Sequence, residues 1–247
     1  MSDAAYDAIA REYQDSKQLP FREHYEEHTI FHLLSDLTGR SVLDLACGEG
    51  IYSRKVKLRG AGSVVGVDVS PEMVALAEAR ERAQPLGVEY VVADVASLGA
   101  VGRFDVVLAS YLFNYARSAG ELGRFCRVAF DNLKPGGVLV GFNDNPAHDP
   151  CRHPSCRKYG FEKTARDPRA EGDVVTYTLY NPDGAVFSFD NYYLSPATYE
   201  AAFAAAGFRS FAWERPRVSE AGRRLLEDGY WDELVESAPL IGMVAVR

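Results

Sequence analysis

Apolar residues follow two different periods in the first half of the chain. Between residues 4 and 37 they recur at three- and four-residue spacing, which predicts amphipathic helices over 4–16 and 21–37. From residue 41 onward, short apolar runs alternate with helical patterns. The runs predict strands over 41–45, 64–68, 88–93, 104–109 and 138–142, and the patterns between them predict helices over 50–59, 71–82 and 119–132. Such alternation predicts right-handed crossovers and a parallel sheet.

The pattern changes after Asn143. Residues 145–169 are rich in Pro, His, Arg and Cys, which predicts a loop, and a hairpin is predicted around Asn181-Pro182-Asp183-Gly184. Its strands cover 174–180 and 186–193. Later elements are a helix over 196–206 capped by Ser195, a strand over 208–213, a helix near 218–228 and a strand over 241–246. We predict one α/β domain with a Rossmann-like, doubly wound, mostly parallel seven-stranded sheet whose last strand is antiparallel. Its parts are a helical lid (1–38), a cofactor-binding half (41–142), a substrate-covering insertion (144–194) and the C-terminal part of the sheet (197–247).

Composition and charge narrow the classes of partner. The 247 residues are 47% hydrophobic and 25% charged, which is typical of globular proteins. The net charge of −8 argues against a surface that binds double-stranded nucleic acid. No stretch approaches the roughly 18 apolar residues that span a bilayer, and no signal peptide is visible. The four cysteines are scattered along the sequence, which indicates reduced thiols rather than a disulfide framework. We therefore expect a cytoplasmic protein, a monomer or a dimer, that binds a small molecule and neither nucleic acid nor membrane.

The candidate chemistry begins in the turn after the first predicted strand, at residues 44–50. Its glycines, Gly48 and Gly50, allow a sharp turn and a close approach to a ligand. Open α/β sheets bind ligands beyond the carboxyl ends of their strands. Asp68 ends the second predicted strand, where one carboxylate can accept from both hydroxyls of a ribose. The sequence therefore predicts a ligand that contains a nucleoside.

The residues of this turn distinguish between cofactors that contain a nucleoside. The dinucleotide fingerprint G-x-G-x-x-G fails at its last position, because Ser53 stands there. Asp44 would repel a pyrophosphate and attract a cationic ligand that carries an ammonium and a sulfonium. These features favour S-adenosylmethionine (SAM) over NAD(P), and an NAD(P)-dependent oxidoreductase is the alternative from another class.

The same segments resemble the motifs of class I SAM-dependent methyltransferases. Residues 42–50 are similar to the first motif, with Ala46 in place of its first glycine, and residues 66–73, 92–95, 104–107 and 133–137 are similar to the later ones in order. The resemblance implies that Asp68 binds the ribose, that Val69 and Met73 flank the adenine, and that Asp94 accepts from its amino group. It also implies that the end of strand four lies near the transferred methyl. The predicted cofactor residues are Tyr13, Asp44, Ala46, Gly48, Gly50, Asp68, Val69, Met73, Asp94, Val95, Ser110 and Tyr111.

Two further segments resemble a narrower group. Residues 16–22 and 191–195 look like those of bacterial small-molecule methyltransferases of the toxoflavin (azapteridine) type. This resemblance implies N-methylation of a small planar heterocycle in antibiotic biosynthesis, with S-adenosylhomocysteine (SAH) as the second product. A small-molecule O-methyltransferase and a SAM-binding protein without turnover are the alternatives.

Aromatic and amide side chains supply the candidate substrate site. Aromatic faces stack on flat rings and attract a cationic methyl group, and amides can orient ring carbonyl and N–H groups. The predicted substrate residues are Tyr6, Asn114, Tyr115, Asn143, Tyr177, Asn191 and Tyr192. Tyr115 and His148 are the candidate bases if the nucleophile must lose a proton; otherwise positioning alone suffices. The Cys and His residues over 148–156 do not match the usual spacing of structural zinc ligands, so no metal is predicted.

Overall fold

The computed structural model describes residues 16–247, and its strands form two separate sheets. The strands are β1 (Ser41–Leu45), β2 (Ser63–Asp68), β3 (Val88–Val92), β4 (Phe104–Ser110), β5 (Leu133–Asp144), β6 (Phe161–Ala165), β7 (Val174–Tyr180), β8 (Val186–Tyr192), β9 (Ser210–Glu214) and β10 (Leu240–Val246). The central sheet has seven strands in the order β3-β2-β1-β4-β5-β10-β9. β10 runs antiparallel to β5 and β9, whereas the pairs among β1 to β5 are parallel. The predicted sheet and its antiparallel last strand are confirmed.

Helices join these strands and begin at serine caps in several places. They are α1 (His28–Leu34), α2 (Ile51–Leu58), α3 (Pro71–Ala83), α4 (Ala119–Asn132), α5 (Pro196–Ala206), α6 (Glu220–Leu225) and α7 (Asp232–Ser237). At α3, the Ser70 hydroxyl accepts from the backbone N–H of Met73, and Pro71 occupies the first turn, where its missing N–H costs nothing. No helix within residues 16–247 is long and apolar enough to span a bilayer.

The predicted helix over 21–37 differs in the structure. Its first part is a π-helix over Arg22–Glu27, and only the second part, α1, is an α-helix. The π-helical turns place Arg22 and Glu26 inside the protein rather than on a solvent-facing stripe. This local geometry is not visible in the spacing of apolar residues.

The core lies on both faces of the central sheet. Alternate residues of each strand point to opposite faces, so Val106 and Leu108 of β4 join one apolar cluster and Val107 joins the other. Val56 of α2 packs into the first cluster and Leu122 of α4 into the second. Helices on both faces leave the carboxyl ends of β1 to β4 open for a site.

The insertion is a three-stranded antiparallel sheet in the order β6-β7-β8. The hairpin of β7 and β8 agrees with the prediction, but the prediction of loop throughout 145–169 is wrong, because β6 lies within it. Alternation along the strands gives this small sheet one buried face. That face carries Phe161, Lys163, Val175, Tyr177, Leu179, Phe187 and Asn191. Tyr177 and Lys163 reach Asp144 at the end of β5, which fixes the small sheet against the carboxyl end of that strand.

Candidate active site

A cavity lies beyond the carboxyl ends of the first four strands, and we call it the strand-end cavity. Turns after β1, β2, β3 and β4 form most of its wall, and α4 closes one side. Its lining residues are Ala46, Gly48, Asp68, Val69, Met73, Asp94, Val95, Ser110, Tyr111, Leu112, Tyr115, Glu121 and Phe125. Most of the predicted cofactor residues therefore lie around one cavity.

The turn after β1 depends on left-handed backbone conformations. Ala46, Gly48 and Gly50 have φ values of 60°, 54° and 77°, a region that favours glycine. The Gly48 N–H donates to Asp68 Oδ2 at 2.7 Å, which ties the turn to the end of β2. A Cβ on Gly50 would lie 2.3 Å from the Tyr90 hydroxyl, so packing beneath the turn also excludes a side chain there.

Asp68 is held with both carboxylate oxygens engaged by backbone N–H groups. Oδ2 accepts from Gly48, and Oδ1 accepts from Ser70 at 3.0 Å. Burial raises the pKa of this carboxyl, while these N–H bonds act in the opposite direction. Each oxygen keeps a further lone pair that can accept from a ligand. Asp68 can therefore receive two hydroxyl groups of a ligand in the strand-end cavity.

Two predicted cofactor residues do not line this cavity. Gly50 lies behind the turn, against Tyr90. Asp44 is 1% exposed, and its Oδ2 accepts from the Ser53 hydroxyl at 2.5 Å. Burial, with a smaller contribution from the charge of Asp68, raises the pKa of Asp44 to about 7. The structure therefore places Asp44 beneath the turn, bonded to α2, and not on the wall where it would meet a ligand ammonium.

A second cavity adjoins the first, and we call it the aromatic cavity. Its walls come from the N-terminal segment, the turn after β4, the buried face of the small sheet and the start of β10. The lining residues are Phe21, Arg22, Tyr111, Tyr115, Phe161, Tyr177, Leu179, Phe189, Asn191 and Leu240. Tyr111 and Tyr115 line both cavities, so these two side chains form a shared wall.

Nearly parallel rings form one side of the aromatic cavity. The ring of Tyr177 lies 6.4 Å from that of Phe161 and 5.6 Å from that of Phe189, with interplanar angles of 12° and 10°. Asn191 lies on the same face, is 2% exposed, and its Oδ1 has no hydrogen-bond partner within residues 16–247. Because a buried polar atom normally has a partner, a group that donates an N–H or O–H suits this part of the cavity.

A buried ion pair lies beside the same cavity. The sequence patterns do not predict it. Asp144, at the end of β5, accepts from the Lys163 ammonium and from the Tyr177 hydroxyl. The side chains of Lys163 and Asp144 are 1% and 7% exposed. Burial, followed by the charge of Asp144, raises the pKa of Tyr177 well above its usual value. The sequence does not indicate this ion pair because Lys163 lies on β6, within the segment that is predicted as a loop.

A second buried carboxylate, Glu26, was also missed. It accepts from the hydroxyls of Tyr111 and Tyr52 and pairs with Arg22. Residues 21–37 show only the spacing of an amphipathic helix, in which a Glu between apolar positions indicates a solvent-facing side chain. Nothing in that spacing indicated a buried acid.

Three predicted substrate residues lie beside the aromatic cavity without lining it. Asn114 is 1% exposed, and its backbone N–H donates to Asn143 Oδ1 at 3.1 Å. Asn143 Nδ2 donates in turn to the Tyr199 hydroxyl oxygen at 3.1 Å. Tyr192 points to the opposite face from Asn191 and lies under the Arg117 guanidinium, 5.2 Å from the ring centroid. Asn143 therefore fixes the turn after β4, whereas the predicted Tyr177 and Asn191 do line the cavity.

The two candidate bases are in different surroundings. His148 is 2% exposed, stacks on His153 at 4.4 Å, and lines a separate cavity with Trp213. Burial is the main cause that lowers the pKa of His148 to about 2, so its ring is neutral. Tyr115 lies in the shared wall, but burial raises its pKa far above the ordinary value, so its phenol stays protonated near neutral pH. Tyr6 and Tyr13 lie outside the described residues.

The part of the chain that forms the strand-end cavity is similar to known proteins. Residues 42–137 match the family model described as "Methyltransferase domain". The ubiquinone biosynthesis O-methyltransferase of Bradyrhizobium sp. (strain ORS 278) is 33% identical over 108 residues, covering 43% of this chain and 41% of the relative. The demethylmenaquinone methyltransferase of Thermus thermophilus is 38% identical over 104 residues, covering 41% and 46%. The chain thus spans less than half the length of these curated relatives.

The fold extends beyond this sequence match. A solved S-adenosylmethionine dependent methyltransferase from Mesorhizobium loti superposes with a TM-score of 0.63 at 19% identity, over 94% of this chain and 100% of that one. Residues 42–137 are thus similar to a methyltransferase domain, and the chain has the fold of a solved SAM-dependent methyltransferase, as predicted. The wall of the strand-end cavity, residues 46–125, lies within the matched range, whereas most of the aromatic cavity lies outside it.

Proposed function

We propose that this protein transfers the methyl group of SAM to a ring nitrogen of a small planar heterocycle. The shared wall of Tyr111 and Tyr115 carries this proposal. Methyl transfer is an in-line displacement, so nucleophile, methyl carbon and sulfur must be collinear. A cofactor in the strand-end cavity and a flat substrate in the aromatic cavity would meet at this wall. The small sheet of β6 to β8 would cover the substrate and exclude water.

The charge of the strand-end cavity supports SAM as the cofactor. Its described lining residues include the acids Asp68, Asp94 and Glu121 and no Lys, Arg or His. Such a wall attracts a sulfonium and an ammonium and repels the pyrophosphate of NAD(P). Asp68 would accept from the ribose hydroxyls, and Val69 and Met73 would flank the adenine. Asp94, whose Oδ1 already accepts from the Ala96 N–H at 2.8 Å, would face the adenine amino group.

The charges around the aromatic cavity support an uncharged substrate. Arg22 pairs with Glu26, and Lys163 pairs with Asp144, so each buried cation near the cavity has an anionic partner. The stacked rings provide an apolar wall, and the Asn191 amide can fix the orientation of a polar ring edge. An uncharged aromatic heterocycle combines these properties.

The protonation of the lining phenols favours nitrogen over oxygen as the nucleophile. Tyr115 and Tyr177 both have raised pKa values, so neither is a phenolate that could accept a proton near neutral pH. A ring nitrogen with a free lone pair needs no base, whereas a hydroxyl nucleophile must lose its proton. The resemblance of residues 16–22 and 191–195 to toxoflavin-type methyltransferases agrees with N-methylation in antibiotic biosynthesis.

O-methylation of a small aromatic hydroxyl is the second candidate. The observation in its favour is the match to a relative named as an O-methyltransferase of ubiquinone biosynthesis. That match spans only 43% of this chain. The substrate-covering sheet and the N-terminal segment would therefore decide between the two acceptor atoms.

A transfer assay with methyl-labelled SAM tests the proposal. The protein is incubated with a panel of planar nitrogen heterocycles and a panel of catechols and phenols, and products are located by mass spectrometry. We expect label on a ring nitrogen and SAH as the second product. Label on hydroxyl oxygen would support the second candidate. Binding of NADH without binding of SAH would overturn both.

A further inference from the structure

Glu26 joins three elements around the wall that the two cavities share. Its side chain is 1% exposed, and its Oε2 accepts from the Tyr111 hydroxyl at 2.6 Å and from Arg22 Nη1 at 2.6 Å. Its Oε1 accepts from the Tyr52 hydroxyl at 2.8 Å. We propose that Glu26 is a positioning residue for methyl transfer, which holds the ring of Tyr111 in the shared wall. This inference rests on the proposed function.

The carboxylate of Glu26 is kept ionised inside the protein. Burial alone would raise its pKa, but the charges of Arg22 and Lys17 and the two phenol hydrogen bonds lower it below the usual value. Hydrogen bonds to an ionised acceptor are shorter and stronger than those between neutral groups. Glu26 is thus an ionised acceptor for the hydroxyl of Tyr111.

Tyr111 has a backbone conformation that calls for such an anchor. Its φ is 61°, which is unusual for a bulky residue and is found where surrounding structure enforces it. The Tyr111 N–H donates to the Phe142 carbonyl at 2.7 Å, and the two rings meet edge to face at 5.9 Å. These contacts fix the start of the side chain, and Glu26 fixes its far end.

The other two partners of Glu26 extend the anchor to both cavities. Arg22 belongs to the π-helix and lines the aromatic cavity. Tyr52 lies in the first turn of α2, directly after the glycine turn of the strand-end cavity. Glu26 therefore connects the residues that would hold the substrate with the turn that would hold the cofactor.

Four proteins test the inference: Glu26→Gln, Tyr111→Phe, the double variant, and the control Glu27→Gln. Glu27 is the next residue, but it pairs with Lys55 and Arg59 outside both cavities. Because misplacement by about 1 Å can cost about 100-fold in rate, we expect each single variant to lower kcat about 10- to 100-fold. KM for SAM and the Kd for SAH should change less than about 3-fold. Because kcat is calculated per SAH-binding site, a smaller folded fraction does not lower its value. The double variant should be no slower than the slower single variant, because both single variants disrupt the same contact between Glu26 and Tyr111.

Independent effects that multiply in the double variant would overturn the inference, as would a normal kcat in Tyr111→Phe. The latter variant keeps the pair of Arg22 and Glu26 and so decides the matter even if Glu26→Gln fails to fold. Crystal structures of the SAH complexes separate this test from the proposed function. We expect the Tyr111 ring to be displaced in Glu26→Gln or Tyr111→Phe relative to the wild type. An unmoved ring would overturn the inference even if the wild type transfers no methyl group.

Discussion

The two cavities differ in how the chain builds them. The wall of the strand-end cavity comes from one continuous stretch, residues 46–125, in which each contributing turn follows a strand. The aromatic cavity combines side chains from residues 21–22, 111–115, 161–191 and 240. The first lies within the part that matches the methyltransferase family model, and most of the second does not. The proposed cofactor site is therefore encoded locally in this chain, whereas the proposed substrate site is assembled from distant segments.

Because distant segments meet at the aromatic cavity, we expect the buried ion pair of Lys163 and Asp144 to stabilise the fold there. Replacing Lys163 by Met leaves Asp144 buried without its cation, so we expect the free energy of unfolding to fall by about 3–5 kcal/mol. Urea unfolding followed by circular dichroism measures this change. The matched control is Lys158→Met, which breaks a surface pair with Glu233 and should cost about 0–1 kcal/mol. Equal losses in both variants would contradict the role of the buried pair.

Removal of one carboxylate should disable the strand-end cavity alone. Asp68→Ala removes the acceptor for the ribose and the anchor of the Gly48 turn, so we expect SAH to bind at least about 100-fold more weakly, or about 3 kcal/mol. Titration calorimetry measures the affinity. Glu72→Ala, an exposed acid at the start of α3, is the control and should bind SAH normally. Unchanged affinity in Asp68→Ala would exclude the ribose role.

The converse change should affect only the aromatic cavity. Asn191→Leu removes a buried amide that would bond the substrate, so KM for the substrate should rise about 10-fold, the equivalent of one hydrogen bond. The Kd for SAH should stay the same. Ser188→Ala, on the exposed face of β8, is the control. A change in the affinity for SAH would show that the two cavities are not separate in function.

The smallest expected effect concerns pH and the carboxyl beneath the glycine turn. The folded-state pKa of Asp44 is raised to about 7, above the ordinary value near 4, so the folded state binds more protons than the unfolded state between these values. Stability is therefore lost as pH rises from about 4 to 7. The free energy of unfolding of Asp44→Asn relative to that of the wild type should therefore rise by about 1 kcal/mol between pH 5 and pH 6, since one pKa unit corresponds to about 1.4 kcal/mol. Identical pH profiles for the variant and the wild type would contradict this assignment.

The sequence predicts the central sheet and most of the strand-end cavity because both depend on local signals. Apolar runs locate the strands, and turn residues such as Gly48 and Asp68 directly follow them. The sequence predicts that Asp44 meets the ligand. Residue spacing does not show that its side chain turns toward Ser53 instead. The prediction therefore located the turn correctly but not the direction of each side chain.

Local signals fail in the aromatic cavity for a physical reason. β6 is short and follows a segment rich in Pro and Arg, so its alternation is not distinguishable from a loop, and Lys163 was missed with it. Glu26 is buried by a π-helix and by partners 26 and 85 residues away in the chain. Contacts of this kind depend on the folded arrangement and leave no periodic trace in the sequence.

A structure of the protein with SAH bound tests the central claim most directly. We predict that the ribose hydroxyls lie within hydrogen-bond distance of Asp68, that the adenine lies between Val69 and Met73, and that the sulfur faces the wall of Tyr111 and Tyr115. The aromatic cavity should remain open on the far side of that wall. SAH bound elsewhere, or with its sulfur directed away from Tyr111 and Tyr115, would contradict the account.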